Sequence, residues 1–206
     1  MSKLFYENLP AELQPMRKAS NARELVFENP TKSQVEKQRN PGLRSKIKIA
    51  TAGGQGVGRS DTLQNVHISE LAFWPGDKKD TLNGILQSVP NSQSTMVVIE
   101  STANGFDHFK ELWDQAVAGE SDFESLFFPW FDMQEYRVKV PPGFELTEEE
   151  EKLKEAFSLD NEQLAWRRWC IKNNCSGDLD LFKQEYPSTP GEAFLTTGTP
   201  VFDNDK

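Results

Sequence analysis

The sequence predicts an α/β chain, with a parallel sheet in its first part and a small helical lobe or linker at its C-terminal end. Three observations carry this. Apolar strand candidates alternate with amphipathic helix candidates between residues 66 and 131, the order of parallel βαβ units. Residues 95–99, TMVVI, are an unbroken apolar run, as in a strand covered on both faces. After Asp132 the pattern changes: Pro141-Pro142-Gly143 marks a connector, and two capping boxes then open helices. The expected boundary divides residues 1–131 from residues 132–206.

In chain order, residues 1–23 read as extended or loosely helical around Pro10 and Pro15. Residues 24–28, with Leu25, Val26 and Phe27, form a short strand candidate stopped by Asn29-Pro30. Residues 31–38 suit a short helix before the Pro41-Gly42 turn. Residues 45–52 alternate Ile47 and Ile49 with Lys46 and Lys48, a strand with one wet face. A glycine-rich loop, GGQGVG, leads to the strand candidate 66–73, VHISELAF. Residues 80–89 place Leu82, Ile85, Leu86 and Val89 on one helical face. Residues 106–117 carry a stripe of Phe106, Phe109, Leu112, Trp113 and Val117, which reads as core packing. Residues 125–131, SLFFPWF, suggest one more strand, interrupted at Pro129.

Thr147 with Glu150 predicts a capping box for a helix over 148–157, and Asp160 with Gln163 predicts another for 161–172. Trp166 and Trp169, three apart, read as packing against a neighbour. Residues 179–186 suit a further short helix.

Composition excludes several classes. A net charge of −9 argues against a surface that grips nucleic acid all over, although Lys32, Lys37, Arg39, Arg44, Lys46 and Lys48 form a local basic cluster around one Glu36. Cys170 and Cys175 lack zinc spacing and do not make a disulfide framework, so reduced, partly buried thiols are expected. No apolar run approaches the ~20 residues that span a bilayer, and the polar N-terminus has no signal-peptide pattern. A soluble, intracellular protein is the expectation.

One rim of the predicted sheet gathers the candidate chemistry. Parallel neighbours deliver their carboxyl ends to the same edge, where ligands bind in open α/β sheets. Glu70 ends one strand, and the polar run Glu100, Ser101, Thr102, Asn104 and Gly105 ends the next. A carboxylate at the end of a buried strand is costly unless it meets water, a partner or a ligand. His67 is expected to pack on the strand without a polar partner. The glycines of 53–58 do not complete a phosphate cradle, because G-x-x-x-x-G-K-[ST] occurs nowhere in the chain. The dinucleotide fingerprint is also incomplete.

Taken in order, these stretches resemble the large terminase subunit of tailed bacteriophages, the ATPase and nuclease that pumps DNA into the capsid. VHISELAF resembles its Walker B strand. ESTANGFDHFKELW resembles its coupling motif, and GVGRSDT the arginine-bearing loop ahead of Walker B. FFPWF, QLAWRRW and KQEYPSTPGEAF resemble the link between the ATPase and nuclease domains. The resemblance implies a partial P-loop NTPase-type sheet with Glu70 as the catalytic carboxylate. It implies Arg59 as an arginine finger acting on its own or a neighbouring subunit's phosphate. Ser101, Thr102 and Asn104 become the elements that sense the γ-phosphate.

ATP and Mg2+ are the implied ligands. Double-stranded DNA, the portal protein, the small terminase subunit and an N-terminal terminase segment are the implied partners, in the host cytoplasm and with no membrane. Two departures qualify the likeness: Ser69 stands where Walker B has its magnesium-holding Asp, and Walker A is missing. The expectation is therefore the later half of the ATPase domain plus its linker, as a fragment, a split-gene product or a phage remnant, inactive alone. The alternatives are a non-catalytic module that binds portal or DNA, and half of a helicase-like ATPase.

Overall fold

The computed structural model describes residues 2–53 and 62–195 of the 206-residue chain. The chain is mixed α/β and falls into two compact units, Met1–Asp61 and Thr62–Lys206. Trp130, next to the expected boundary at residue 131, belongs to the same buried cluster as Leu164 and Phe182.

The first unit begins with helix α1 (Ser2–Glu7), followed by strands β1 (Ala19–Ser20) and β2 (Glu24–Phe27), helix α2 (Gln34–Arg39) and strand β3 (Ser45–Lys48). The strands form an antiparallel sheet in the order β1-β2-β3, with Leu25 opposite Ile47 and Val26 opposite Lys46. These residues therefore do not extend the parallel sheet expected for residues 1–131. The reason is local. Asn21 Oδ1 accepts from the N–H groups of Arg23 and Glu24, which reverses the chain tightly between β1 and β2.

At the far end of β2, Asn29 N–H donates to Pro41 O at 3.0 Å and Asn29 Nδ2 to Asn40 O at 2.8 Å. That clasp returns the chain to the end it left, so β3 must run back along β2. Gly42 permits the clasp. Its φ is +75°, and a Cβ there would lie 2.9 Å from the Asn29 nitrogen. Leu25 and Phe27 are the buried side chains, with the Tyr6 ring 5.7 Å from that of Phe27. All four residues of β3 are exposed, on both faces.

The second unit opens with a βαβ unit: strand β4 (Asn65–Ile68), helix α3 (Lys78–Leu86) and strand β5 (Met96–Ile99). β4 and β5 pair in parallel, Asn65 opposite Met96 and Ile68 opposite Ile99, as the alternation of elements predicts. The sheet has these two strands among the described residues. The first strand is shorter than expected, because the backbone leaves extended geometry at Glu70 and forms a 3-10 turn over Leu71–Phe73. Nor is β5 covered on both faces: Met96 and Val98 are exposed. Asp77 caps α3 by accepting from Asp80 N–H, and Leu82 and Ile85 form its buried side.

Helix α4 (His108–Ala118) follows, capped by Asp107 and ended by Gly119. Phe109 and Trp113 pack against Ala103, Ala193 and Phe194. The ends of the expected stripe do not join them, since Phe106 is 74% and Val117 62% exposed. Residues 125–131 form no strand ladder, and Trp130–Asp132 make a 3-10 turn.

Helices α5 (Glu148–Phe157), α6 (Asn161–Asn173), α7 (Leu179–Glu185) and α8 (Pro190–Leu195) complete the chain. Both predicted capping boxes are present. Between these helices lies the largest aromatic assembly. Trp166 stacks on Tyr136 at 4.2 Å and on Trp130 at 5.4 Å, and Phe182 and Tyr186 close its sides. Trp169, three residues on, is 46% exposed. No helix among the described residues is long and apolar enough to cross a membrane.

Arg168 joins α6 to α5. Its guanidinium holds both carboxylate oxygens of Glu150, Nε to Oε1 at 2.6 Å, donates to Glu145 O and lies 4.3 Å from the Phe144 ring centroid. Burial works to raise the Glu150 pKa, but the Arg168 bond, its charge and the Thr147 cap together hold it below the usual carboxylate range. Asp160 is likewise held low: burial opposes, and the Gln163 amide and Arg137 override it. A depressed folded pKa contributes stability that is complete above the unfolded value and lost as pH falls through the folded one.

Thermal melts of the helical region therefore hold steady above about pH 5 and fall progressively below about pH 4. Arg168→Met, which leaves the buried Glu150 carboxylate unpaired, costs about 2–3 kcal/mol at pH 7 and flattens the acid slope. Cys170 and Cys175 are fully buried, and burial pushes the Cys170 thiol up to about 11. Buried thiols with little thiolate are inert. A thiol reagent at pH 8 labels neither cysteine in the native chain and both after guanidinium unfolding.

Candidate functional site

The carboxyl rim of the β4–β5 pair brings the two predicted polar turns together. The ladder continues past the strands: Glu100 N–H donates to Ile68 O at 2.9 Å, and Leu71 N–H to Glu100 O at 3.3 Å. Beyond it the turns are cross-linked through a single residue, Ala72. Its N–H donates to Ser101 Oγ at 3.1 Å, and its carbonyl accepts from Asn104 Nδ2 at 3.2 Å and from Lys78 Nζ. Lys78 also pairs with Asp107 at 2.7 Å, the same carboxylate that caps α4. The starts of α3 and α4 are thus tied to the rim by one ammonium.

Glu70 stands at the head of this arrangement, exposed, in the left-handed region with φ 54° and ψ 44°. A glutamate rarely adopts that conformation, which costs roughly 1 kcal/mol or more. Its side chain makes no capping bond to the turn it precedes, so the carboxylate is presented to solvent rather than spent on the backbone. Ser69 is exposed beside it, and its carbonyl accepts from Trp74 Nε1 at 2.9 Å.

Thr102 is half-buried between Ser101 and Ala103. Gly105, at φ 67°, turns the chain toward α4. His67 does not pack as expected: it is exposed on β4, with Nε2 3.4 Å from Glu100 Oε1. The alternation of the strand puts it on the uncovered face with Val98, its register partner. Arg59 and the loop glycines 54, 56 and 58 lie outside the described residues.

Lys78 and Asp107 escape the sequence reading. Asp107 is legible as a helix cap, three residues ahead of Lys110 in an amphipathic run. Lys78, the first residue of a helix in the polar string WPGDKKD, carries no signal that separates it from Lys79. The strain at Glu70 is equally silent, because glycine or asparagine usually marks such a position.

Chemically, the rim offers one free carboxylate, a neighbouring hydroxyl and the hydroxyl and amide of a clasped turn. That set can orient water beside a bound group. Among the described residues no three His, Cys, Asp or Glu side chains gather as a metal would need. No family model matches the chain.

Two substitutions probe the rim. Asn104→Ala removes a bond to the Ala72 carbonyl and lowers stability by about 1 kcal/mol. Glu70→Gly relieves the left-handed strain and leaves stability unchanged or raised by up to about 1 kcal/mol; chemical denaturation of both variants measures this.

Proposed function

We propose that this chain is a portion of a phage DNA-packaging motor ATPase, a terminase large subunit. In this reading it supplies the Walker B-like and coupling elements of a P-loop NTPase-type sheet. The observation that carries the reading is the pairing of β4 with β5 in parallel, which sets Glu70 beside the clasped Ser101–Asn104 turn. Motif order in the sequence supports it.

Glu70 then orients and deprotonates the water that attacks the γ-phosphate of ATP. Arg59 stabilises charge on the transferring phosphoryl group. The Ser101–Asn104 turn couples the state of the nucleotide to α4, since Asn104 and the α4-capping Asp107 share Ala72 and Lys78. Ser69 in place of an Asp makes a weak magnesium position, and no P-loop Lys occurs in the chain, so a Walker A-bearing segment must complete the pocket. The motor reading brings double-stranded DNA, portal protein and small terminase subunit as partners, in the host cytoplasm.

A second reading is a non-catalytic assembly module. It is favoured by the engagement of Ser101 and Asn104 in backbone hydrogen bonds and by the exposed Phe106, just ahead of α4, and Val117 on it.

The two separate on mixing the chain with an N-terminal terminase segment that carries Walker A. The motor reading expects ATP hydrolysis that Glu70→Gln lowers by about 10²-fold or more. Absence of any Glu70-dependent turnover, together with retention of the chain by portal protein, removes it in favour of the module.

A further inference from the structure

Residues 123–129, FESLFFP, behave as a strand without a sheet. No turn or bend interrupts them, and their exposure alternates residue by residue: Phe123, Ser125 and Phe127 are half-buried, whereas Glu124, Leu126 and Phe128 are exposed. Period-two alternation is the mark of a strand lying on a surface. Yet among the described residues no backbone hydrogen bond involves the N–H groups of residues 124–128. Buried backbone groups are nearly always paired within the protein, whereas exposed ones are left to water and are open to a partner strand. Here they stand beside Leu126 and Phe128, which are 64% and 70% exposed.

The segment is held in place from behind and beyond. Phe127 meets the Trp113 ring of α4 edge-on at 6.5 Å. Just past Pro129, Trp130 N–H donates to Pro187 O and Trp130 Nε1 to Ser188 Oγ at 3.2 Å. A strand fixed on one side and open on the other has little ordering left to lose on binding.

Charge identifies what it accepts. No lysine or arginine occurs between Lys110 and Arg137, while Glu120, Asp122, Glu124, Asp132 and Glu135 are all exposed. We infer that residues 124–128 are a docking strand for an extended segment of a partner protein, one that alternates apolar with Lys or Arg residues and adds as a β-strand. Main-chain bonds give such a contact its affinity, and alternate side chains give its specificity. The cations of the incoming strand complement the acids at either end, and Leu126 and Phe128 are covered.

The test uses the full chain and two labelled decapeptides, one alternating lysine with valine and one alternating glutamate with valine. The lysine peptide is expected to bind by fluorescence anisotropy, to weaken as salt is raised, and to slow amide exchange at residues 124–128 by about 10-fold or more; the glutamate peptide does neither. Phe128→Ser, at an exposed position, weakens the lysine peptide several-fold. Leu126→Pro, which deletes one N–H, abolishes the protection. Equal binding of both peptides, protection confined to other residues, or full affinity in Phe128→Ser overturns the assignment. Protection that grows with protein concentration in the absence of peptide also overturns it, by making a second copy the occupant.

Discussion

The peptide group of Ala72 is the point on which the second unit's sheet region turns. Buried, it must find partners for both its N–H and its carbonyl, and it finds them in three residues from two segments: Ser101 and Asn104 after β5, and Lys78 at the start of α3. Because Lys78 also holds Asp107, the cap of α4 depends on the same cluster. Each bond alone is worth about 1 kcal/mol, but they share atoms, so loss of one loosens the others. The strained Glu70 backbone persists because this surrounding network fixes the turn on which it sits.

The helical region is stabilised differently. Its helices start at side-chain caps and meet over a stack of indole, phenol and phenyl rings rather than over an aliphatic layer. Glu150, the one buried carboxylate among the described residues, is matched by a bidentate guanidinium and by its own helix cap. Within the second unit, most of the exposed large apolar residues lie elsewhere, on β5, on or beside α4 and along residues 126–128. Within that unit, packing is more complete in the C-terminal helices than around the two-stranded sheet.

Helix positions were the most legible part of the sequence, and for a local reason. Thr147/Glu150 and Asp160/Gln163 bond within one turn of chain, so their effect needs no tertiary context. The parallel direction of β4 and β5 was also legible, because a helix between two apolar runs leaves few other connections, whereas their adjacency was not. Strand extents were not. Residues 69–73 are apolar enough for a strand, but the αL turn at Glu70 has no residue-type signature. Residues 125–131 have strand composition and lack a neighbour to pair with, which no single segment can reveal about itself. The antiparallel sheet of the first unit was missed because it depends on the Asn29–Pro41 clasp, a contact between positions that look unremarkable apart. At the candidate site the sequence indicates Glu70 and the Ser101–Asn104 turn as neighbours, but not that Ser101 and Asn104 spend their polar atoms on Ala72.

The distribution of indoles has a practical consequence. All five tryptophans, at 74, 113, 130, 166 and 169, lie in the second unit, whereas the first contains only phenylalanine and tyrosine rings. Trp130 and Trp166 stack on each other, and Trp166 also stacks nearly parallel to the Tyr136 ring. Emission excited at the red edge of the absorption band thus follows one half of the polypeptide alone, and coupling between the stacked chromophores gives that half its own near-ultraviolet dichroic signature. The chain carries an intrinsic optical label that separates the melting of its two parts.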